Sequence, residues 1–86
     1  MPYTYMLQCS DGTYYTGWTV DLEVRLQAHN SGKGARYTRC RLPVKLVYWE
    51  PHLNRSEAQQ RESIIRKLAR KQKEKLVEGM TAEIKE

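Results

Sequence analysis

The sequence predicts a small α/β protein in which a three-stranded, mainly antiparallel sheet is flanked by helices in the order β-β-α-β-α-α. Three observations support this fold class. Two short β-prone segments near the N-terminus are separated by a turn signal. A third segment, almost entirely apolar, lies between two prolines. Helical patterns with recognisable start signals follow the hairpin and the third strand.

The N-terminal elements follow from alternation and turn chemistry. Alternating side chains over residues 3–9 predict the first strand. Ser10-Asp11-Gly12 is a turn signal, and residues 14–18 are again β-prone, so these segments form a predicted hairpin. Asp21 is a good helix cap, and it predicts a helix over residues 22–29.

A near-continuous apolar run over residues 44–50 predicts the third strand, bracketed by Pro43 and Pro51. Strands of this composition are usually covered on both faces by other elements. We therefore predict that this strand takes the central position of the sheet.

The C-terminal part is predicted to be helical. Ser56 and Gln59 have the spacing of a capping box, which predicts a helix from Ser56 to about Arg70. A short last helix is predicted over residues 71–77. The domain would then occupy residues 1–80 and leave a frayed tail at 81–86.

Composition bounds the class of protein. The chain has 86 residues, of which 40% are hydrophobic, with six Tyr, two Trp and no Phe. Its longest apolar run covers residues 46–49, far short of a membrane span or a signal-peptide core. We expect a soluble, cytoplasmic protein that does not bind membranes. Cys9 and Cys40 have no metal-ligand spacing and are predicted to be free thiols.

The net charge of +5 is concentrated in two clusters. Residues 33–45 contain five basic residues and no acid, and residues 66–75 contain six basic residues and one acid. Two such clusters on a small domain favour a polyanionic partner, most simply nucleic acid. The alternative is a solvated surface that keeps the protein soluble.

Glu62 and Arg25 are the first candidates for chemistry. Glu62 shares a predicted helix face with Ala58, Ile65 and Ala69, where an acid is costly unless it is paired. It is either a carboxylate satisfied by a Tyr or Arg, or a Mg²⁺ ligand on the floor of a cleft. Arg25 either extends its charge to solvent or clamps a phosphate.

Tyrosines and His29 are the next candidates. A Tyr-rich hairpin is by default sheet packing, but a phenol near a cation can serve as a general base. His29 is either a base or a helix-end residue with a capping or surface role. Residues 31–34 are too short for a phosphate-binding P-loop and predict a flexible basic loop.

Together these residues resemble the GIY-YIG nuclease superfamily, in particular its small single-domain bacterial members of the YhbQ type. The resemblance covers the chain from Tyr3 to about Val77. Its markers, in order, are Tyr3-Thr4-Tyr5, Tyr15-Thr16-Gly17, Thr19, Asp21-Leu22-Glu23, Arg25-Leu26, His29-Asn30, Gly32-Lys33-Gly34-Ala35-Arg36-Tyr37-Thr38-Arg39, Leu42-Pro43-Val44-Lys45-Leu46-Val47-Tyr48, Glu57-Ala58 and Glu62.

This resemblance implies metal-dependent hydrolysis of phosphodiester bonds. A single Mg²⁺ or Mn²⁺ would be held by Glu62, and Arg25 would steady the scissile phosphate. Tyr5 and Tyr15 would share the roles of general base and phosphate contact, without a further assignment between them. The residues implied in nucleic-acid binding are Gly17, Thr19, His29, Lys33, Arg36, Tyr37 and Arg39.

A shared site for Tyr5 and Tyr15 sets a condition on the hairpin. A two-residue turn would place these tyrosines on opposite faces of the sheet. A three-residue loop with Gly12 left-handed would pair Leu7 with Tyr15 and place both tyrosines on one face. We predict the three-residue loop.

The resulting hypothesis is an endonuclease that cuts DNA, with RNA left open, selects substrates by structure, and belongs to DNA repair or processing. It would act as a monomer or weak dimer. The alternative is a non-catalytic nucleic-acid-binding module on the same scaffold. A third hypothesis is a small basic protein whose charge clusters contact another protein.

Overall fold

The computed structural model describes the backbone of residues 1–85 and the side chains of residues 1–80. The predicted element order is confirmed. The elements are β1 (Tyr3–Gln8), β2 (Tyr14–Thr19), α1 (Leu22–Asn30), β3 (Lys45–Pro51), α2 (Arg55–Arg66) and α3 (Arg70–Lys85). The frayed tail predicted at 81–86 lies outside the fully described residues and stays a prediction.

The sheet has the order β2-β1-β3, and both strand pairs are antiparallel. Our prediction that the third strand is central is therefore wrong, because β1 takes that position and β3 is an edge strand. Strand β3 packs Leu46 and Trp49 against the core and also contacts α3. These contacts explain an apolar sequence on a strand that has a neighbour on one side only.

Helices cover both faces of β1. On one face, Tyr5 and Leu7 form the core with side chains that include Leu22 and Leu26 of α1. On the other face, the Thr4 hydroxyl donates a buried hydrogen bond of 2.8 Å to the carbonyl oxygen of Ala58 in α2. The central strand is thus buried through four consecutive residues, 4–7.

The hairpin has the predicted register. Leu7 lies opposite Tyr15, and the Cys9 N–H donates to the Thr13 carbonyl oxygen at 2.8 Å, which closes a three-residue loop. Gly12 at the end of this loop has φ +85°, in the left-handed region that favours glycine. Tyr5 and Tyr15 consequently share one face of the sheet, as predicted.

The residues that cap the N-termini of α1 and α2 agree with the prediction in one case and differ from it in the other. Asp21 caps α1 through a 3.1 Å hydrogen bond from the Val24 N–H, as predicted. Helix α2, however, is capped by Asn54, whose side-chain oxygen accepts from the Glu57 N–H at 2.9 Å. The prediction of Ser56 as the cap is wrong. The helix begins soon after β3 ends, so Ser56 already lies inside its first turn.

The boundary between the last two helices also differs from the prediction. Helix α2 ends at Arg66, because the N–H groups of Lys67 and Leu68 bond three residues back and tighten the last turn. Ala69 is therefore exposed in the linker and does not extend the buried face of α2. Helix α3 has 16 residues rather than the short segment predicted at 71–77. It is rich in Lys and Glu, which are good helix formers.

Two predictions about the chain's environment can be compared with the structure. Cys9 is buried and Cys40 is exposed, and both are free thiols, as predicted. Among the described residues, no helix combines the length and apolarity that a membrane span requires.

Candidate active site

The Tyr5 hydroxyl is the centre of a buried polar cluster between β1 and α1. It lies 3.0 Å from His29 Nε2, and it accepts a hydrogen bond of 3.4 Å from Arg25 Nε. Arg25 and His29 reach it from successive turns of α1, so the i, i+4 spacing read in the sequence brings both side chains to one phenol. Tyr5 is only 2% exposed.

Two hydrogen bonds on the far side of His29 bear on its tautomer. The Thr38 hydroxyl donates to the Ala35 carbonyl oxygen at 2.9 Å and lies 2.9 Å from His29 Nδ1, which favours a proton on Nδ1. The Ala35 N–H donates to Nδ1 at 3.4 Å, and this longer bond favours the other tautomer. In the tautomer with the proton on Nδ1, the Nε2 lone pair accepts from the Tyr5 hydroxyl.

Burial keeps both members of the Tyr5–His29 pair neutral. His29 is fully buried; desolvation and the nearby Arg25 charge lower its pKa from 6.5 to about 4. Burial raises the pKa of Tyr5 above its ordinary value, although Arg25 opposes that shift. At neutral pH the free protein thus holds a protonated phenol against a neutral imidazole.

Tyr15 lies beside this pair in a more open position. Its ring meets the His29 ring edge-on at 5.4 Å between centroids and lies nearly parallel to the Tyr37 ring at 6.2 Å. Tyr15 also lies close enough to the Arg25 guanidinium to raise the pKa of that side chain. Arg25 therefore lies near both Tyr5 and Tyr15, and Tyr37 joins the same aromatic group from the segment after α1.

Glu62 lies beside the cluster on α2. Its side chain is 17% exposed and forms an ion pair with Arg66, one helical turn further on. Its negative charge contributes to the raised pKa of Tyr5, which indicates that the carboxylate faces the phenol's surroundings. The predicted position beside the buried Ala58 and Ile65 is confirmed, and the carboxylate has the arginine partner that one of our alternatives required.

The described residues place limits on a metal. They contain no group of three or more His, Cys, Asp or Glu side chains that could hold an ion. A protein-built cage of the kind that Zn²⁺ or Ca²⁺ uses does not fit this arrangement. A single carboxylate suits Mg²⁺ or Mn²⁺, which retain water and take oxygen ligands from a phosphate. Glu62 fits that role if Arg66 releases it.

Gly17 and Thr19 have structural positions that the sequence did not reveal. A Cβ atom on Gly17 would lie 2.6 Å from the Tyr5 hydroxyl oxygen, so only glycine lets this phenol approach β2. The Thr19 hydroxyl oxygen accepts from the Asp21 N–H at 3.2 Å and shapes the entry to α1. It makes no hydrogen bond to the tyrosine cluster in the described chain.

The three remaining predicted binding residues are not part of the cluster. Lys33, Arg36 and Arg39 are exposed on the segment between α1 and β3 and make no hydrogen bond to it within the described residues. Sequence reasoning missed Thr38 and Ala35, which orient His29, and Gly34, whose Cβ would lie 2.3 Å from His29 Nδ1. The available signals were the glycines of this segment and its place among the markers of the resemblance, and neither showed a contact with His29.

Comparison with known proteins adds three findings. The model of the GIY-YIG catalytic domain matches residues 1–75. A UPF0213 protein of Clostridium perfringens is 57% identical over 77 residues, which cover 90% of this chain and 83% of that protein. A UPF0213 protein of Halobacterium salinarum is 51% identical over 76 residues, covering 88% and 99%.

Solved structures agree with this relationship. The solution NMR structure of a UPF0213 protein from Bacillus halodurans has a TM-score of 0.57 and 44% identity, and covers 91% of this chain and 84% of that chain. An NMR structure of a protein from E. faecalis has a TM-score of 0.60 and 45% identity, with 93% and 85% covered.

Proposed function

Because this chain belongs to the GIY-YIG catalytic domain family, a family of nuclease type, we propose that it is a metal-dependent endonuclease hydrolysing DNA phosphodiester bonds. We assign it to structure-selective DNA repair or processing in the cytoplasm. The observation that carries the proposal is the convergence of Arg25 and His29 on the Tyr5 hydroxyl, beside Glu62.

In this proposal Tyr5 acts as the general base and His29 carries its proton on Nδ1. Its proton faces the free lone pair of His29 Nε2, and Thr38 holds the imidazole in that orientation. In the free protein the proton stays on Tyr5, because burial disfavours both charged groups. A bound phosphodiester adds a negative charge that favours protonated His29 and disfavours the Tyr5 phenolate, so the proton transfer depends on the positive charge of Arg25 beside the phenol. The phenolate, stabilised by Arg25, then takes a proton from the attacking water.

Arg25 and Tyr15 are suited to the phosphate itself. The Arg25 guanidinium binds the Tyr5 hydroxyl through Nε and lies near Tyr15, so its remaining N–H groups can donate to the phosphate oxygens. Donors of this kind stabilise the charge that develops as water attacks phosphorus. Glu62 would hold the divalent cation, which supplies Lewis-acid activation of the phosphate and its water.

One observation favours the alternative of a binding module without catalysis. The Glu62 carboxylate is already neutralised by Arg66, and a cation must displace that guanidinium. If the ion pair persists with substrate bound, the protein would bind DNA through its basic surface and leave it intact. The two functions differ in the role of Glu62, which the nuclease needs for cleavage and the binding module does not.

The test is cleavage of labelled single-stranded, duplex, flap, fork and junction DNAs with Mg²⁺, Mn²⁺ or EDTA. We expect Glu62→Gln to reduce cleavage at least about a hundredfold while DNA binding is kept, since one transition-state contact is worth that much. Glu74→Gln is the control for the loss of an i, i+4 ion pair, because Glu74 forms the same kind of pair with Arg70 on helix α3. Equal cleavage by Glu62→Gln and wild type would refute the proposed site.

Arg25→Lys provides an independent check. Lysine keeps the charge but cannot contact two phenols and a phosphate at once, so cleavage should fall while the fold is retained. Binding with no cleavage in any metal, by a protein whose circular dichroism shows it folded, would establish the binding module instead.

A further inference from the structure

A groove follows the free edge of strand β2, next to the tyrosine cluster. Strand β2 has a neighbour only on its β1 side, so its other edge faces outward. The groove has a volume of about 280 Å³ and is lined by Tyr14, Tyr15, Thr16, Tyr37, Arg66 and Lys73. This volume lies at the small end of ligand pockets and fits one compact group rather than a double helix.

The lining combines aromatic rings with positive charge. Tyr14 and Tyr15 lie on opposite faces of β2, so phenol rings flank both sides of the strand edge. Arg66 reaches the strand and donates to the Thr16 carbonyl oxygen at 3.5 Å. Within the described residues, the Lys73 ammonium forms no ion pair. Lys73 is therefore a donor that the groove leaves unused.

Tyr14 is the ring best placed to receive a ligand. The Tyr37 ring already has two neighbours, the Arg41 guanidinium at 4.0 Å and the Tyr15 ring at 6.2 Å between centroids. Over Tyr14 lies the guanidinium of Arg70 at 5.2 Å, on a side chain that is more than half exposed. Arg70 can leave this weak contact, so a planar group can take its place.

We propose that this groove binds one unpaired nucleotide of a single-stranded segment next to the scissile phosphate, with the base on Tyr14 and a flanking phosphate at Lys73. The inference rests on the proposed nuclease function, since Tyr15 borders both the groove and the cluster around Tyr5 and His29. Aromatic rings and cations along a groove are what single-stranded nucleic acids require, and stacking tolerates any base.

The substrate class follows from what the groove excludes. In a duplex, each base is stacked on its neighbours and paired, so it reaches a protein ring only after it leaves the helix. Unpairing costs free energy in an intact duplex and none in a single strand. The protein therefore selects single strands, or the unpaired segments of flaps and forks, and does so without sequence specificity.

Binding measured in EDTA tests the groove without catalysis. The probes are a single-stranded oligonucleotide containing 2-aminopurine and the same oligonucleotide in a duplex. We expect tighter binding of the single strand and quenching of its fluorescence by stacking. Tyr14→Leu should weaken single-strand binding by about 5- to 150-fold, the contribution of one stacked base. Tyr14→Phe keeps the ring and should bind like wild type.

Two further variants separate stacking and charge from general effects. Tyr3→Leu removes a half-buried tyrosine outside the groove and should leave affinity unchanged. Lys73→Ala should lower the slope of the logarithm of affinity against the logarithm of salt concentration by about 0.7, as expected for one phosphate contact on a single strand. Circular dichroism confirms folding of each variant.

The outcomes separate the groove from the nuclease. Duplex binding as tight as single-strand binding, equal affinity of Tyr14→Leu and wild type, or displacement of the oligonucleotide by an equal charge of polyglutamate would each overturn the groove. Cleavage without single-strand preference would refute the groove and leave the nuclease standing. Single-strand binding with no cleavage in any metal would refute the nuclease and leave the groove standing.

Discussion

Replacing Gly17 with alanine tests the arrangement around Tyr5 most directly. The new Cβ would lie 2.6 Å from the Tyr5 hydroxyl oxygen and 2.8 Å from its Cζ atom. It would also lie 3.2 Å from a ring carbon of Tyr15. Non-bonded carbon contacts are optimal at about 3.5–4 Å, so the phenol must move. Tyr5 is buried and bonded to His29, and any movement disturbs that bond.

The expected cost follows from overpacking a buried site. An extra methyl group that forces a neighbour out of position destabilises by about 1–3 kcal/mol. For a domain of this size, that corresponds to a fall in melting temperature of about 5–20 °C. Because the same displacement removes the proton acceptor of Tyr5, cleavage should fall even at temperatures where Gly17→Ala is folded. Urea denaturation and a cleavage assay at low temperature measure the two effects separately.

Two comparisons make this test specific. Gly79→Ala places a methyl group in open space on helix α3, so it should stabilise the protein by about 0.5–1 kcal/mol. In a Tyr5→Phe background the nearest clashing atom is gone, so the cost of Gly17→Ala should shrink while the Cζ contact remains. Additive effects of the two substitutions, or a Gly17→Ala protein as stable and active as wild type, would refute the close approach.

Three further perturbations have defined outcomes. The pKa of His29 is about 4 in the folded protein, against an ordinary value of 6.5. Between these pH values the unfolded chain binds a proton that the folded protein does not, so stability should rise with pH across that window by up to about 3 kcal/mol. Urea denaturation from pH 4.5 to 7 measures this pH dependence, which the His29→Gln variant should lack. Asn54→Ala should cost about 1 kcal/mol and Ser56→Ala close to nothing, since only the first caps α2; equal melting temperatures for the pair would contradict the observed cap. Asn30→Ala should cost about 1–3 kcal/mol of stability, because the Asn30 amide makes two hydrogen bonds, of 2.8 and 3.1 Å, to the backbone of Val44. A denaturation midpoint no lower than that of wild type would show that these hydrogen bonds do not stabilise the fold.

The hairpin and the first helix were predictable because their signals are local. A three-residue loop ending in Gly12 fixes the strand register, and the register fixes the face on which each side chain lies. Asp21 caps α1, and the spacing of Arg25 and His29 then determines their common side. Each step uses residues that are close in the sequence, so no tertiary contact is needed to read it.

The order of the strands was not predictable from apolarity. A strand's apolar character reports how well its faces are covered, whereas its position in the sheet depends on its lateral neighbours. Strand β1 looks half-polar in sequence, but its Thr4 hydroxyl is buried and satisfied by the Ala58 carbonyl oxygen. Strand β3 looks fully buried, yet only one of its edges is paired. The contacts that decide the order are the two ladders of β1, and the one with β3 joins segments that are far apart in the sequence.

His29 shows why the chemical role of a site residue was less predictable than the list of residues that form the site. Its sequence position allowed a base, a cap or a surface contact, and the structure buries it completely. The residues that contact its ring, Ala35 and Thr38, follow directly after residues 31–34, which we predicted to be a flexible loop. A Cβ on Gly34 would lie 2.3 Å from His29 Nδ1, so this glycine serves close packing as well as freedom of the backbone. That contact brings Ala35 and Thr38 to the imidazole, where both lie within hydrogen-bond distance of Nδ1. The surroundings of His29 are therefore set by a segment that packs back onto α1, and a sequence pattern that shows the helix alone does not reveal them.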